Sequence, residues 1–219
     1  MRGFDAAFVA RYRERRAAGL AGGEPGGRRG AAFPAPAARG PLSLGGRGDA
    51  LVGGNAPLRV VGIDTSLRCT GLAALEDRGE GPVFLDCRPV PNPAKRPLPE
   101  CLVEIADRLV AYLDEWAPDE IAMEGIFFCK NARTALVLGH ARGVVVEVCA
   151  RRRLPVHEYP PSRVKRAVTG VGSATKEQMQ RMMQAVFHLP EAPQEDSADA
   201  LAIALTHLNE RRLAARFAR

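Results

Sequence analysis

The stretch that decides the fold of this chain is Val60-Val61-Gly62-Ile63-Asp64. Small or β-branched apolar residues followed by a single carboxylate predict a fully buried strand that ends in an acid. A polar turn over 65–71 and a second apolar run, Leu72-Ala73-Ala74-Leu75, predict the partner strand of a hairpin. We therefore expect Asp64 at an edge or mouth of the sheet, where a substrate can reach it. The alternative is a structural aspartate that bonds the amides of its own turn.

The positive charge of the chain is concentrated near its start. The 219 residues carry a formal net charge of +6, and residues 1–57, with nine arginines against four acids, supply +5 of it. The remaining residues are nearly balanced, so a nucleic-acid role for them must depend on local basic patches. The length suits one domain with an appendage.

Residues 1–57 are predicted to be a disordered extension, ahead of a domain at 58–213 and a C-terminal tail at 214–219. The segment 19–56 consists largely of Gly, Pro, Ala and Arg and has too few large apolar residues to form a core. A short Arg-rich helix is predicted within 1–20, because aromatic residues recur there every four positions. Loose DNA binding through the arginines, a solvated tail and an in-frame extension outside the working protein all remain open.

The composition argues against a secreted or membrane protein. Five cysteines show no paired metal-ligand spacing, which predicts reduced and mostly buried thiols in a cytoplasmic protein. No apolar run reaches the roughly 18 residues that a membrane span needs, and there is no signal-peptide core. We expect a cytoplasmic protein with no membrane partner.

The rest of the domain alternates strands and helices. Predicted strands cover 83–90, 119–124 and 154–159. Predicted helices cover 102–116, 132–150, a short basic segment that opens at Pro160-Pro161, a segment that begins after Thr175 and a last segment that begins near Glu195. Three strands, a helix and a fourth strand suit an α/β sheet with a crossover connection.

The predicted helix at 132–150 is apolar nearly all the way round, so it must be covered on more than one side. Not all of its other apolar residues can share the face of Leu138, Ala141 and Val145; those in question are Leu136, Val137, Val144 and Val148. Gly139 and Gly143 lie four residues apart and would let another helix approach closely. We predict a two-fold homodimer built on this helix. The alternative is that a neighbouring helix of the same chain covers the second face.

Four acids stand at the ends of predicted elements. Asp196 and Asp199, three residues apart, share one face in the first turn of the last helix, where helix-capping acids are also common. Asp64 and Glu124 each end a strand. A cluster of four carboxylates in an apolar framework is tolerable mainly when cations neutralise it. Oxygen ligands without His or Cys predict Mg²⁺ or Mn²⁺, and two such ions would support phosphodiester hydrolysis.

Several motifs, in one order over residues 58–212, resemble the RuvC family of crossover-junction endonucleases. They are Val61-Gly62-Ile63-Asp64, Ala122-Met123-Glu124 through Phe127-Phe128-Cys129-Lys130-Asn131, Leu138-Gly139-His140-Ala141-Arg142-Gly143, and Asp196-Ser197-Ala198-Asp199 through Ala204. The resemblance implies a ribonuclease H-like α/β fold, with a mixed five-stranded sheet flanked by helices. It implies a Holliday-junction resolvase that acts as a homodimer on four-way junction DNA in the bacterial cytoplasm, beside the RuvA/RuvB branch-migration complex.

The resemblance also assigns roles to individual residues. The four metal-binding catalytic acids of the family fall on Asp64, Glu124, Asp196 and Asp199. Its aromatic residue that stacks on bases near the junction centre falls on Phe127, with core packing as the alternative. The family continues its first acid as Asp-Pro-Gly, whereas this chain reads Asp64-Thr65-Ser66-Leu67. The departure leaves the acids in place and bears on the conformation of the first turn.

Lysine usage indicates further candidate contacts. The chain has 27 arginines and only four lysines, so a tolerant basic position would usually hold Arg. Lys130, Lys165 and Lys176 lie beside the acid motifs or in basic segments, and a compact ammonium suits a phosphate or a leaving oxygen. We predict that they contact DNA. Surface solvation is the alternative, and Lys95 in a proline-rich loop shows that chance also leaves a lysine.

Two other classes of protein compete with a nuclease. An actin-like ATPase or sugar-kinase fragment can also open with Gly-Ile-Asp-Thr-Ser, but it needs a second phosphate loop and usually a second domain. A non-catalytic junction-binding protein could share the fold, although four retained acids argue against it. A nicking assay with Mg²⁺ on a four-way junction separates these classes.

Overall fold

The hairpin around Asp64 forms the centre of a five-stranded sheet. The computed structural model describes residues 57–125 and 131–217. Its strands are β1 (Leu58–Asp64), β2 (Cys69–Asp77), β3 (Pro82–Pro91), β4 (Glu120–Glu124) and β5 (Val156–Tyr159). They are ordered β3-β2-β1-β4-β5. The β1–β2 and β2–β3 pairs are antiparallel, and the β1–β4 and β4–β5 pairs are parallel. Asp64 thus lies at the mouth of the sheet, on its central strand and not on an edge strand.

Five helices connect or cover these strands within the described ranges. They are α1 (Leu98–Trp116), α2 (Ala132–Arg151), α3 (Pro161–Thr169), α4 (Lys176–Val186) and α5 (Glu195–Phe217). The predicted element order and the mixed α/β fold are confirmed. α4 begins with the predicted capping box, in which Thr175 and Gln178 satisfy each other's backbone N–H groups.

The predicted domain bounds can be compared with the structure at the C-terminal end of the chain. Residues 214–217, which we expected to begin a C-terminal tail, continue α5 as exposed turns, since Ala and Arg favour a helix. The predicted helix at 1–20 and the predicted disorder of the extension lie outside the described residues. None of the helices in the described ranges has an apolar stretch long enough to cross a membrane.

The sheet is covered on both faces, so successive residues of β1 enter different cores. Val61 and Ile63 pack with residues of α1 and α2, among them Ile105 and Val145. Val60 packs on the opposite face with residues of α4 and α5, among them Met183 and Leu201. Alternation of this kind follows from the two-residue period of a strand. It accounts for the unbroken apolar run that marked β1 in the sequence.

α5 lies directly on the backbone of β1 and β2 at two glycines. A Cβ added to Gly62 would stand 2.1 Å from the carbonyl oxygen of Ala200, and one added to Gly71 would stand 1.9 Å from that of Asp196. Both distances are far below a non-bonded contact, so only glycine allows this approach. Residues 197–208 of α5 are buried, apart from the half-buried Asp199, which explains why its sequence lacks an amphipathic pattern.

α2 has one buried side and one exposed side. Ala141, Val145, Val148 and Cys149 are buried, and Val137 and Val144 pack against the same core. The expectation that Leu136, Val137, Val144 and Val148 cannot all share one face is confirmed. The three valines lie on the buried side, because positions three, four and seven apart lie on one side of a helix, and Leu136 is exposed. The side left exposed carries Leu136, Gly139, Gly143 and Val146.

Candidate active site

The four predicted acids meet at one end of the sheet. Asp64 ends β1 and Glu124 ends β4. These strands are parallel neighbours in register, with Ile63 opposite Met123, so their carboxyl ends lie at the same edge. Asp196 and Asp199 occupy the first turns of α5, and the close contact at Gly71 holds those turns against β2. Two strand ends and one helix start thus bring the carboxylates together.

The carboxylates share one negative field. Burial and, in decreasing order, the charges of Glu124, Asp199 and Asp196 raise the pKa of Asp64 to about 8. Burial and the charge of Asp199 also raise the pKa of Glu124. An ordinary carboxyl titrates near pH 4, so ionisation of this cluster is opposed both by burial and by mutual repulsion. A bound cation would offset both the cost of burying these charges and their mutual repulsion.

The donor set fits a hard divalent cation. Only carboxylate oxygens converge from these four residues, without an imidazole or thiolate among them, which is the chemistry that Mg²⁺ and Mn²⁺ prefer. Each of the four side chains is half-buried, so it is shielded from bulk water and still reachable. The assignment of metal binding and catalysis to these four residues stays a prediction.

Two of the predicted lysines lie beside the acids. Lys165 lines an open pocket together with Glu124, Pro161 and Asp199. Lys176 is 64% exposed and forms an ion pair with Glu195. Burial raises the pKa of Asp199, and the charges of Lys176 and Lys165 act in the opposite direction. Both ammonium groups are therefore close enough to act on the acid cluster. Phe127 and Lys130 lie outside the described residues.

The turn after Asp64 is held by hydroxyl groups where the family usually has Pro-Gly. The Ser66 hydroxyl accepts hydrogen bonds from the backbone N–H groups of Arg68 at 3.2 Å and Cys69 at 3.3 Å. The Thr70 hydroxyl donates to the Ser66 carbonyl at 2.7 Å, and the Asn92 amide donates to the Leu67 carbonyl at 3.0 Å. Hydrogen bonds thus replace the rigidity of proline in fixing this turn.

Arg142 and Gln194 also contact the site, although neither was singled out from the sequence. The Arg142 guanidinium donates to the Glu124 carbonyl at 2.5 Å and pairs with Glu158 at 2.5 Å. The Gln194 amide donates to the Asp196 carboxylate at 2.6 Å and accepts from the Ser197 N–H at 3.2 Å. Arg142 stands inside the quoted motif around Gly139, but nothing in that motif distinguishes it from the other arginines. Gln194 directly precedes α5, a position that could have marked it as a cap.

The order of the strands and the position of the acids define a class of protein. A mixed sheet ordered β3-β2-β1-β4-β5, with acids at the ends of its central parallel strands and on the helix that crosses them, is the ribonuclease H-like arrangement of metal-dependent nucleases. The family model for crossover junction endodeoxyribonuclease RuvC matches residues 60–207. This chain belongs to the RuvC family.

Individual relatives agree with this family. The RuvC of Thermomicrobium roseum is 41% identical over 158 residues, which cover 72% of this chain and 96% of the relative. The RuvC of Rhodopseudomonas palustris is 44% identical over 160 residues, which cover 73% of this chain and 92% of the relative. The resemblance to RuvC found in the sequence is confirmed.

Solved structures agree as well. A structure of Thermus thermophilus RuvC in complex with Holliday junction substrate matches with a TM-score of 0.66 and 32% identity, over 72% of this chain and 97% of that one. A yeast mitochondrial Holliday junction resolvase, only 11% identical, matches with a TM-score of 0.54 and so shares the fold. These matches leave no support for an actin-like ATPase or sugar kinase.

Proposed function

We propose that this protein resolves four-way (Holliday) DNA junctions as a structure-specific endonuclease, by paired hydrolysis of phosphodiester bonds with Mg²⁺, which Mn²⁺ can replace. The observation that carries the proposal is the convergence of four carboxylates, with two ammonium groups beside them, at the mouth of a RuvC-family sheet.

Each part of the site would have a distinct task. Asp64 and Glu124, fixed on two rigid strands, and Asp196 and Asp199, on the docked start of α5, would hold the cations. When bound, these cations activate a water nucleophile and stabilise the leaving oxygen. Lys165 and Lys176 would bind the phosphate and offset its charge as it enters a field of carboxylates. Arg142, which bonds the Glu124 carbonyl, would keep the end of β4 in place.

Cleavage of a synthetic four-way junction tests the proposal. With Mg²⁺ or Mn²⁺ we expect two symmetrically placed nicks, and none with a chelator or on a linear duplex of the same sequence. A protein that binds the junction without cutting it under these conditions would be the non-catalytic junction-binding alternative.

Replacing either site lysine by alanine is expected to slow junction cleavage by about 10²-fold, as for other groups that stabilise transition-state charge. Arginine should restore activity at Lys176, which is exposed, but not at Lys165, which shares a pocket with Glu124 and Asp199. Single-turnover cleavage rates would measure this. Lys95→Ala is the matched control, because Lys95 is exposed in the loop before α1. Full rescue by arginine at both positions would show that both lysines act only as generic phosphate contacts.

We also propose that the working unit is a homodimer joined through the exposed side of α2. Leu136 is 66% exposed and Val146 is 37% exposed. Leu136, Gly139, Gly143 and Val146 follow a three-four-three spacing, which places them in one stripe along the helix. An isologous contact through such a stripe suits a substrate with approximate two-fold symmetry.

Leu136→Glu is expected to give a folded monomer that no longer makes paired nicks, because it places a charge in the stripe. Sedimentation and cleavage assays would measure both effects. Val103→Glu is the matched control, since Val103 is 59% exposed on α1, outside the stripe. Val144 is unsuitable for this test because it packs against the core. A wild-type protein that is monomeric at micromolar concentration and still makes paired nicks would contradict the dimer.

Family membership supports further proposals about DNA contacts, location and partners. We expect Phe127 and Lys130 to contact DNA, and the protein to act in the bacterial cytoplasm beside RuvA and RuvB. Stimulation of junction cleavage by added RuvA and RuvB would test the last expectation.

A further inference from the structure

A second group of potential metal ligands lies away from the acid cluster. Glu120 begins β4, His157 is on β5 and His207 is on α5. One ligand atom from each lies within 4.8 Å of the others. Glu120 and Glu124 stand four residues apart on β4, which is about 13 Å along a strand. The group is thus separate from the proposed catalytic centre.

The geometry of the group centres on one carboxylate oxygen. The Nε2 atom of His207 lies 2.6 Å from Oε2 of Glu120, and the Nε2 atom of His157 lies 3.6 Å from the same oxygen. The two imidazole rings are 4.5 Å apart, centre to centre. His207 is 1% exposed and Glu120 is 12% exposed, so two of the three side chains are well shielded from solvent.

One of these ring nitrogens lacks a partner. The Nε2 atom of His157 is buried and has no hydrogen-bond partner among the residues that the structure describes. A buried imidazole nitrogen without a partner loses its hydration and gains nothing in return. Its position near the shared oxygen makes it an available ligand atom.

Side chains outside the group orient His207 and Glu120. The Tyr159 hydroxyl lies 2.6 Å from Nδ1 of His207, and Arg211 pairs with the other oxygen of Glu120 at 3.1 Å. Metal-bound histidines and carboxylates are held in this way, because a bond at the far atom fixes the ring and directs the near atom to the metal. Both contacts leave Nε2 of His207 and Oε2 of Glu120 facing His157.

We propose that Glu120, His157 and His207 bind a divalent transition metal of the Zn²⁺ class. Two imidazoles with one carboxylate favour Zn²⁺ or Co²⁺ over Mg²⁺. Ligand atoms around tetrahedral Zn²⁺ are about 3.4 Å apart. The distance from His157 to Glu120 already meets this value, and that from His207 to Glu120 requires a shift of less than about 1 Å. A solvent molecule would complete the coordination, entering from the side of His157, whose side chain is 37% exposed.

The bound metal would join three elements. It would tie the middle of α5 to β4 and β5, away from the acid cluster, and α5 carries Asp196 and Asp199 in its first turns. The site would therefore be structural, stabilising the position of the helix without taking part in hydrolysis. The proposal does not depend on the nuclease activity.

The test uses the full-length protein with excess Mg²⁺, which saturates a site made only of carboxylates. Co²⁺, added as the only transition metal, should bind with one ion per chain and give the intense visible absorption of a tetrahedral site. Zn²⁺ should then displace it. Zn²⁺ at about 100-fold above its dissociation constant should raise the melting temperature by about 5 to 10 °C. His157→Gln should lose both effects. His140→Gln, at an exposed position on α2, and Asp64→Asn should keep them.

Histidine ring NMR of the wild-type protein provides a second measurement that needs no variant. Zn²⁺ should shift the ring signals of two of the four histidines. Absence of Co²⁺ binding, binding that His157→Gln leaves unchanged, or ring shifts confined to other histidines would each overturn the proposal. The group would then be a hydrogen-bonded network of Tyr159, His207 and Glu120 only.

Discussion

Asp64→Asn is expected to abolish junction cleavage and, at the same time, to stabilise the metal-free protein. Loss of a metal-binding carboxylate at the centre of the cluster should reduce the cleavage rate by at least about 10³-fold. The same change removes the free-energy cost of keeping the buried Asp64 carboxyl protonated at neutral pH, or of ionising it beside Glu124, Asp199 and Asp196. The melting temperature of the metal-free protein should therefore rise, by about 5 °C.

The stabilisation should depend on pH with a definite sign. The pKa of Asp64 rises from 3.8 to about 8 in the folded protein. A group whose pKa is raised on folding contributes stability that is complete below its unfolded pKa and is lost as the pH passes through the folded value. The wild-type protein should thus lose stability relative to Asp64→Asn between about pH 4 and pH 8.

Melting curves of both proteins across this range, with and without Mg²⁺, measure the effect. Mg²⁺ should raise the melting temperature of the wild-type protein more than that of Asp64→Asn, because it neutralises the repulsion that the substitution removes. Junction binding, which depends mainly on basic groups, should be retained. Asp114→Asn is the control, since Asp114 is a surface partner of Arg152. Substantial Mg²⁺-dependent nicking by Asp64→Asn would refute the role given to this acid.

Local pattern predicted much of the fold and the acids. The apolar run before Asp64 predicted a fully buried strand that ends in an acid, and β1 is such a strand. Glu124 follows a similar run, so the sequence placed both acids at strand ends, and the parallel pairing of β1 with β4 brings those ends to the same edge. The helical spacing of the last predicted element was sufficient to place Asp196 and Asp199 on one face.

Contacts between distant segments could not be predicted. The apolar surface of α2 predicted cover on more than one side, but it did not show that Val137 and Val144 face the core while Leu136 does not. Glu120, His157 and His207 have no common spacing, and only the sheet register with α5 brings them together. Nothing in the sequence distinguished Arg142 from the other arginines, because its role depends on a contact with the distant Glu124 carbonyl.

The sequence also did not predict the close approach of α5 to the two glycines of β1 and β2, because a glycine within an apolar run only weakens a predicted strand. Gly71→Ala is expected to cost both stability and activity. Its Cβ would stand 1.9 Å from the Asp196 carbonyl oxygen, which belongs to the helix backbone and cannot rotate away. The start of α5 would have to move by more than about 1 Å to reach an ordinary contact, at a cost of about 1–3 kcal/mol.

The displaced residues are among those to which we assign metal binding. Asp196 and Asp199 lie in the turns of α5 that meet Gly71, whereas Asp64 and Glu124 stay on their strands. A shift of about 1 Å between the two halves of a metal-binding cluster can reduce a rate by about 10²-fold. Cleavage by Gly71→Ala should therefore fall by about this factor, even at a temperature where circular dichroism shows a folded protein.

The matched control is Gly172→Ala, where the added Cβ would meet its nearest atom at an ordinary 3.4 Å. Its melting temperature and cleavage rate should stay close to those of the wild-type protein. Mg²⁺ affinity, measured by the rise in melting temperature, should fall in Gly71→Ala and not in the control, because the cluster no longer closes around the ion. Wild-type cleavage by Gly71→Ala would show that α5 can shift without disturbing the acids, and the contact at Gly71 would then serve packing alone.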